Sequence, residues 1–196
     1  PRGPQVGGHA PVVGEDRGRR AQFGAIEIGD ERHALNLLLA ARDAKVRQFV
    51  YASSSAIYGD RPELPKTEDN TGAPLSPYAA TKAINEVYAT AFDRAYGFHS
   101  IGLRYFNVFG PRQSFNSPYS GVIAQFCTCL LRGEAPTIYG DGLQSRDFVY
   151  VDDAVEAYLL AAKVKTSEWG PIYNVGTGVQ TTIRQAVEVA RAAFRL

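Results

Sequence analysis

Tyr78 and Lys82 stand four residues apart in "SPYAATKAINEVYATAF", residues 76–92. On a helix that spacing puts a phenol and an ammonium on one face, one turn apart. A free phenol, with a pKa near ~10, is a poor base at neutral pH. A neighbouring ammonium and the positive end of a helix both favour the phenolate. A tyrosine so placed can exchange a proton with a sugar or alcohol hydroxyl. Alone, the pair reads equally well as a surface contact. A second group of residues gives it weight: "YASSSAIYGD" at 51–60 sets Ser53, Ser54 and Ser55 in a row where an apolar run ends.

The elements that must position these groups follow from local signals. Ser76 and Pro77 suit the N-cap and first position of a helix, which puts Tyr78 in its first turn. "ERHALNLLLAARDAKV" (31–46) reads as a helix and "RQFVYAS" (47–53) as a buried strand. A polar loop (59–77) precedes the Tyr78 helix, and "HSIGLRYFNV" (99–108) is the next strand. "YSGVIAQFCTCLLRG" (119–133) reads as a helix, and "APTIYG" (135–140) and "SRDFVYV" (145–151) as short strands. Asp152 is expected to cap a helix whose apolar face is Val155, Tyr158, Leu159 and Ala162. After a strand at "IYNVG" (172–176), Thr182 and Gln185 form a capping box for a last helix burying Ile183, Val187, Ala190 and Phe194. Helices alternating with short apolar strands predict an α/β protein with a mainly parallel sheet. In such open sheets the ligand crevice lies outside the carboxyl ends of the strands, where the serines and Tyr78 can meet.

The bulk composition excludes several function classes. A chain of 196 residues, 45% hydrophobic, is long enough for a substantial core. A formal net charge of +1 gives no electrostatic reason to expect nucleic acid or a membrane surface as partner. "LLLAA" (37–41) is far shorter than a spanning helix, and "PRGPQVGGHAPVVG" at the start lacks the hydrophobic region of a signal peptide. Cys127 and Cys129 would lie about 200° apart on a helix, which opposes a mutual disulfide or a shared metal. A reduced cytoplasmic protein without a metal site is expected. Residues 1–24 hold Gly, Pro and Arg without periodicity and are expected to be irregular.

Residues 46–190 resemble the NAD-dependent epimerase/dehydratase family, the extended short-chain dehydrogenase/reductases acting on nucleotide sugars. The matching motifs are, in order, "YASSSAIYGD", "PLSPYAATK", "LRYFNVFGPRQ", "IYGDGLQSRDFVYVDD" and "YNVGTG". Within the family the chain is most similar to UDP-N-acetylglucosamine and UDP-glucose type 4-epimerases. The resemblance implies a partial Rossmann-like doubly wound parallel sheet with a small mixed α/β substrate-binding portion. Residues 25–110 would be the later half of the NAD-binding domain. Residues 111–196 would be part of the substrate region, interleaved with the last Rossmann elements.

By the same resemblance Tyr78 is the acid/base for the sugar 4-hydroxyl, and Lys82 supports it and bonds the nicotinamide ribose. The assisting hydroxyl matches Ser54, four residues before the tyrosine of "YG", with Ser55 the neighbouring candidate. NAD would take a hydride from C4 and return it to the other face of a 4-keto sugar. Ala52, Ser53 and Tyr105 match the segments lining the cofactor. Asn107 and Arg146 match contacts to the UDP diphosphate, and Val122, Ile138 and Tyr139 the rest of the UDP-sugar site. A planar guanidinium can hold two phosphate oxygens at once. Arg104 reads as a structural ion pair, Tyr51, Tyr58 and Tyr150 as core or pocket wall, and His9, His33 and His99 as ordinary surface or boundary residues. A homodimer is implied, built on the Tyr78 helix and the 31–44 helix; Ile84, Val87, Ala91 and Ala95 suit that contact and equally an ordinary core.

Dehydratases of the family carry an Asp-Glu pair directly after the hydroxyl residue, and decarboxylases keep a glutamate two residues before the "YG" tyrosine. Here Ser55 and Ala56 stand instead, and neither can act as a carboxylic acid. Epimerisation, which needs a proton shuttle and a hydride carrier, is favoured. The sequence departs from the family at both ends. No apolar strand leads into the glycines of "VGGHAPVVGED" (6–16), so the dinucleotide fingerprint is missing, and Leu196 precedes the expected second diphosphate arginine. An internal fragment of a longer enzyme is therefore expected, one that binds NAD poorly by itself. The alternative is an inert or merely binding remnant.

Overall fold

The computed structural model describes residues 31–114, 121–164 and 171–195; the expected irregular segment 1–24 lies outside them. Helix α1 (Glu31–Asp43) leads into strand β1 (Phe49–Ser54), and a 3₁₀ turn spans Ser55–Tyr58. Helix α2 (Pro77–Tyr96) starts where its cap predicts: Ser76 Oγ accepts from the Ala79 amide at 3.1 Å, with Pro77 at the first position. Gly97, in the left-handed conformation at φ 61°, ends it. Strands β2 (Ser100–Tyr105) and β3 (Asn107–Phe109) follow, then α3 (Val122–Leu131). The remainder is β4 (Ser145–Arg146), β5 (Phe148–Tyr150), α4 (Val151–Ala161), β6 (Ile172–Val175), β7 (Thr181–Thr182) and α5 (Ile183–Ala193).

Three strands in the order β1-β2-β6 form a parallel sheet, as the α/β alternation predicts. Successive side chains leave a strand on opposite faces, and the two faces here have different partners. Ile101 and Leu103 pack with Ala157, Tyr158 and Ala161 of α4. The alternate residue Arg104 points the other way, to Glu86 on α2. Phe49 and Val46 join Leu38 of α1 and Phe92 of α2 in a core on that same face. The sheet is thus covered on both sides, the doubly wound arrangement of a Rossmann-like fold. A second core, centred on Phe126, Ile183 and Ala186, joins α3 to α5.

Several expected elements are corrected. The run 99–108 is two strands, because at Phe106 the chain changes sheets. The Phe106 amide donates to Val175 at 3.1 Å, whereas the Asn107 amide donates to Asp147 at 2.9 Å, and β3 then pairs with β5. The run 145–151 breaks at Asp147 into β4, antiparallel to β7, and β5. No strand forms at 135–140. Asp152 is not a cap: α4 begins at Val151 behind an extended Tyr150, and Asp152 and Asp153 sit in its first turn, where their charge suits the helix dipole. Its inward face is Ala154, Ala157, Tyr158 and Ala161, while Val155 and Leu159 are half exposed. The capping box of α5 is as expected, with Thr182 and Gln185 bonded reciprocally.

Both cysteines are free, and among the described residues no helix is long and apolar enough to cross a membrane. No group of three metal-ligating side chains occurs among them either.

Candidate active site

The carboxyl ends of β1 and β2 open onto a pocket of about 650 Å³. The end of β1 gives it Ser54, the 3₁₀ turn Ser55 and Tyr58, and the 59–76 loop Leu64, Pro65 and Lys66. Asn107, Arg146 and Asp147 line it too, with Gly176, Gly178 and Gln180. Of the residues singled out in the sequence, Ser54, Ser55, Asn107 and Arg146 share this wall. Ser54 Oγ accepts from the Ala56 amide at 3.1 Å and so caps the 3₁₀ turn.

Tyr78 and Lys82 are not among the residues that line the pocket; Lys82 is linked to Ala52, two residues before Ser54 of its lining. Lys82 is 2% exposed and Tyr78 44%. The Lys82 ammonium donates to the Ala52 carbonyl at 3.2 Å and lies 5.6 Å from the centroid of the Tyr78 ring. A buried ammonium needs partners to offset lost hydration; a carbonyl dipole and an aromatic face are two such partners.

The other predicted positions are placed as follows. Ser53 is buried and turned to the α2 side, where its hydroxyl donates to Glu86. Tyr105 faces α4, stacked on Tyr158 at 5.5 Å with its hydroxyl donating to the Ala154 carbonyl at 3.3 Å. Val122 and Ile138 pack on the Phe126 core, and Tyr139 is 81% exposed. Tyr51 and Tyr58 are buried, and Arg104 forms a structural ion pair, as expected, with a partner the sequence did not name, Glu86 at 2.9 Å.

Sequence reasoning missed Asp147, the residue that organises the Asn107–Arg146 wall. Its carboxylate accepts from the Thr177 amide at 3.0 Å, the Thr177 hydroxyl at 2.6 Å and the Gly178 amide at 2.8 Å. Its carbonyl accepts from the amide nitrogen of Asn107's side chain at 3.1 Å. The signal available was its place between Arg146 and an apolar strand. Nothing local announces partners 30 residues away.

The Tyr–Lys helix, the row of serines and the crevice at the strand ends now stand in one arrangement, and residues 27–176 match the family described as NAD dependent epimerase/dehydratase. The chain belongs to that family. Among its relatives is the UDP-glucose 4-epimerase of Mycolicibacterium smegmatis, 41% identical over 152 residues, which cover 77% of this chain and 48% of that one. A solved structure of UDP-N-acetylglucosamine 4-epimerase from Methanobrevibacter ruminantium, in complex with UDP-N-acetylmuramic acid, is 42% identical. It superposes with a TM-score of 0.80 over 84% of this chain and 52% of that one. Human dTDP-D-glucose 4,6-dehydratase is also similar, at 34% identity over 160 residues, 82% of this chain and 43% of its own. The chain thus spans about half the length of the curated relatives it matches. NAD is the cofactor of this epimerase/dehydratase family.

Proposed function

We propose that this chain carries the catalytic centre of an NAD-dependent UDP-sugar 4-epimerase. The observation that carries the reading is the Tyr78–Lys82 pair, tied by the bond to Ala52 to β1, the strand whose end residue Ser54 enters a pocket also lined by Ser55, Asn107 and Arg146. Tyr78 accepts the proton of the sugar 4-hydroxyl, with Ser54 or Ser55 bonding that hydroxyl and relaying the proton. Arg146 and Asn107 hold the diphosphate, placed by Asp147.

The residues present fit the nicotinamide half of NAD. The Lys82 ammonium, bonded to the Ala52 carbonyl and 5.6 Å from the centre of the Tyr78 ring, is the cation that would hold a ribose hydroxyl, and Tyr78 stands one turn from it. NAD, when bound, supplies the hydride acceptor and donor. The residues 25–110 would serve mainly the cofactor and 111–196 mainly the sugar nucleotide.

The dehydratase reading has a relative in its favour but lacks its acid: Ser55 and Ala56 occupy the positions where an acidic side chain would act. A homodimer through α2 is supported by the outward stripe of Ile84 and Val87, 39% and 68% exposed. Free cysteines suit a reducing cytoplasm.

The test is interconversion of UDP-glucose with UDP-galactose, and of UDP-GlcNAc with UDP-GalNAc, by the full-length protein supplied with NAD. Conversion at C4 with no loss of water is the expected result. Formation of a 4-keto-6-deoxy product would replace this reading with the dehydratase one.

A further inference from the structure

A polar network centred on Arg104, which reaches the pocket through Tyr58 and Lys66, is not used by the proposed chemistry. Arg104 and Glu86 are 3% and 7% exposed. Two nitrogens of the guanidinium donate to the two oxygens of Glu86, each at 2.9 Å. The third, Nη1, donates to the Tyr58 hydroxyl at 3.0 Å and to the Glu68 carbonyl at 2.7 Å. Tyr58 in turn donates to Asn174 Oδ1 on β6 at 2.6 Å. Asn174 closes the circuit: its amide N–H donates to the Glu68 carboxylate at 2.8 Å and its side-chain nitrogen to the Lys66 carbonyl at 2.9 Å. On the other side Ser53, next to Ser54, donates to Glu86.

This network adds a side-chain link between the helix that carries Tyr78 and the loop that lines the pocket. Glu86 lies one helical turn beyond Lys82, on the helix that carries Tyr78. Residues 59–76 contain no helix or strand, yet they supply Leu64, Pro65 and Lys66 to the pocket. Loops of that length are otherwise the mobile parts of a fold, and here side-chain bonds tie the loop to the scaffold. Burial pulls the Arg104 guanidinium down, but its bonds to Glu86 and Tyr58 outweigh this and hold it above the usual arginine range, so the guanidinium stays charged. Only a planar fork with five donors can serve Glu86, Tyr58 and Glu68 together.

We propose that Arg104 and Glu86 are positioning residues for the sugar half of the substrate, holding the 64–68 wall and the 3₁₀ turn at a set distance from Tyr78 and Lys82. The proposal rests on the epimerase reading of the pocket, and its test separates the two. Full-length wild type, Arg104→Lys and Tyr58→Phe are compared by amide hydrogen exchange and by binding of UDP, UDP-glucose and UDP-GlcNAc. In both variants exchange over 61–72 is expected to quicken about tenfold, the size of one lost buried hydrogen bond, while α5 is unchanged. The UDP-sugars lose about tenfold in affinity by the same reasoning and UDP alone loses none, because none of the network's bonds reaches Asn107, Arg146 or Asp147. Unchanged exchange over 61–72, or equal losses for UDP and UDP-sugar, would overturn the proposal. Should Arg104→Lys fail to fold, Tyr58→Phe decides alone, since it removes one hydroxyl and no charge. A wild type that binds no UDP-sugar more tightly than UDP would defeat the epimerase reading, and the exchange comparison would still decide the network.

Discussion

Lys82 bonds the Ala52 carbonyl at 3.2 Å with its ammonium 5.6 Å from the centre of the Tyr78 ring, so one buried cation ties the start of α2 to the end of β1. Tyr78 itself is 44% exposed and supports little of the core. We predict that Tyr78→Phe lowers epimerase turnover about 10²–10⁴-fold, the usual weight of a positioned acid/base, with the thermal midpoint unchanged. Full activity in Tyr78→Phe would remove the tyrosine from the chemistry. Lys82→Met is expected to lower both turnover and melting temperature.

Ser54 and Ser55 are neighbours with separable duties. Ser54 Oγ caps the 3₁₀ turn through the Ala56 amide, and Ser55 makes no such bond among those described. Ser54→Ala should therefore cost about 1 kcal/mol of stability, the scale of a lost cap, as well as activity. Ser55→Ala should leave the denaturation midpoint where it is. Chemical denaturation alongside kinetics measures both, and a stability loss confined to Ser55→Ala would contradict the assignment.

Gly176 is constrained by the Asp147 carboxylate. A Cβ there would stand 2.7 Å from Asp147 Oδ2 and 3.1 Å from the Phe106 ring. Gly176→Ala is predicted to destabilise by about 1–3 kcal/mol, as overpacking does, and to weaken UDP binding by displacing Asp147 from Thr177 and Gly178. Calorimetric titration with UDP checks this. Wild-type affinity in that variant would show that Asp147 does not place the Asn107–Arg146 wall.

Alkaline stability follows from three phenols. Burial raises Tyr51, with the Glu86 charge adding to it, and burial likewise raises Tyr105, aided by Tyr158; Tyr158 is pushed up to about 12 by burial. In the unfolded chain a tyrosine ionises near ~10. Above that pH the unfolded state sheds protons that the folded state keeps, so stability is whole below about 10 and falls as pH climbs toward about 12. We predict that these three ionise only together with unfolding, seen as coincident tyrosinate absorbance and circular dichroism transitions. Smooth titration of all 11 tyrosines in a folded protein would refute it.

How much of this was legible beforehand depends on range. Ser76 and Pro77 start α2, Thr182 and Gln185 box the start of α5, and Tyr78 and Lys82 share a face because such signals act within one turn. The α/β alternation likewise needs only local periodicity. Asp152 misled because a short polar residue before an apolar run signals a cap only when the backbone there is extended, and here Tyr150 took that conformation.

The order of motifs, the helix starts and the Tyr78–Lys82 pairing were determined by the amino-acid sequence itself, through contacts a few residues long. Only the tertiary structure decided that the chain changes sheets at Phe106, that Asp147 turns to Thr177, and that Arg104 meets Glu86 while Tyr58 meets Asn174 across 116 residues. A buried donor or carboxylate takes whichever partner the packed sheet and helices bring within about 3 Å, and no local pattern of residue types encodes that choice.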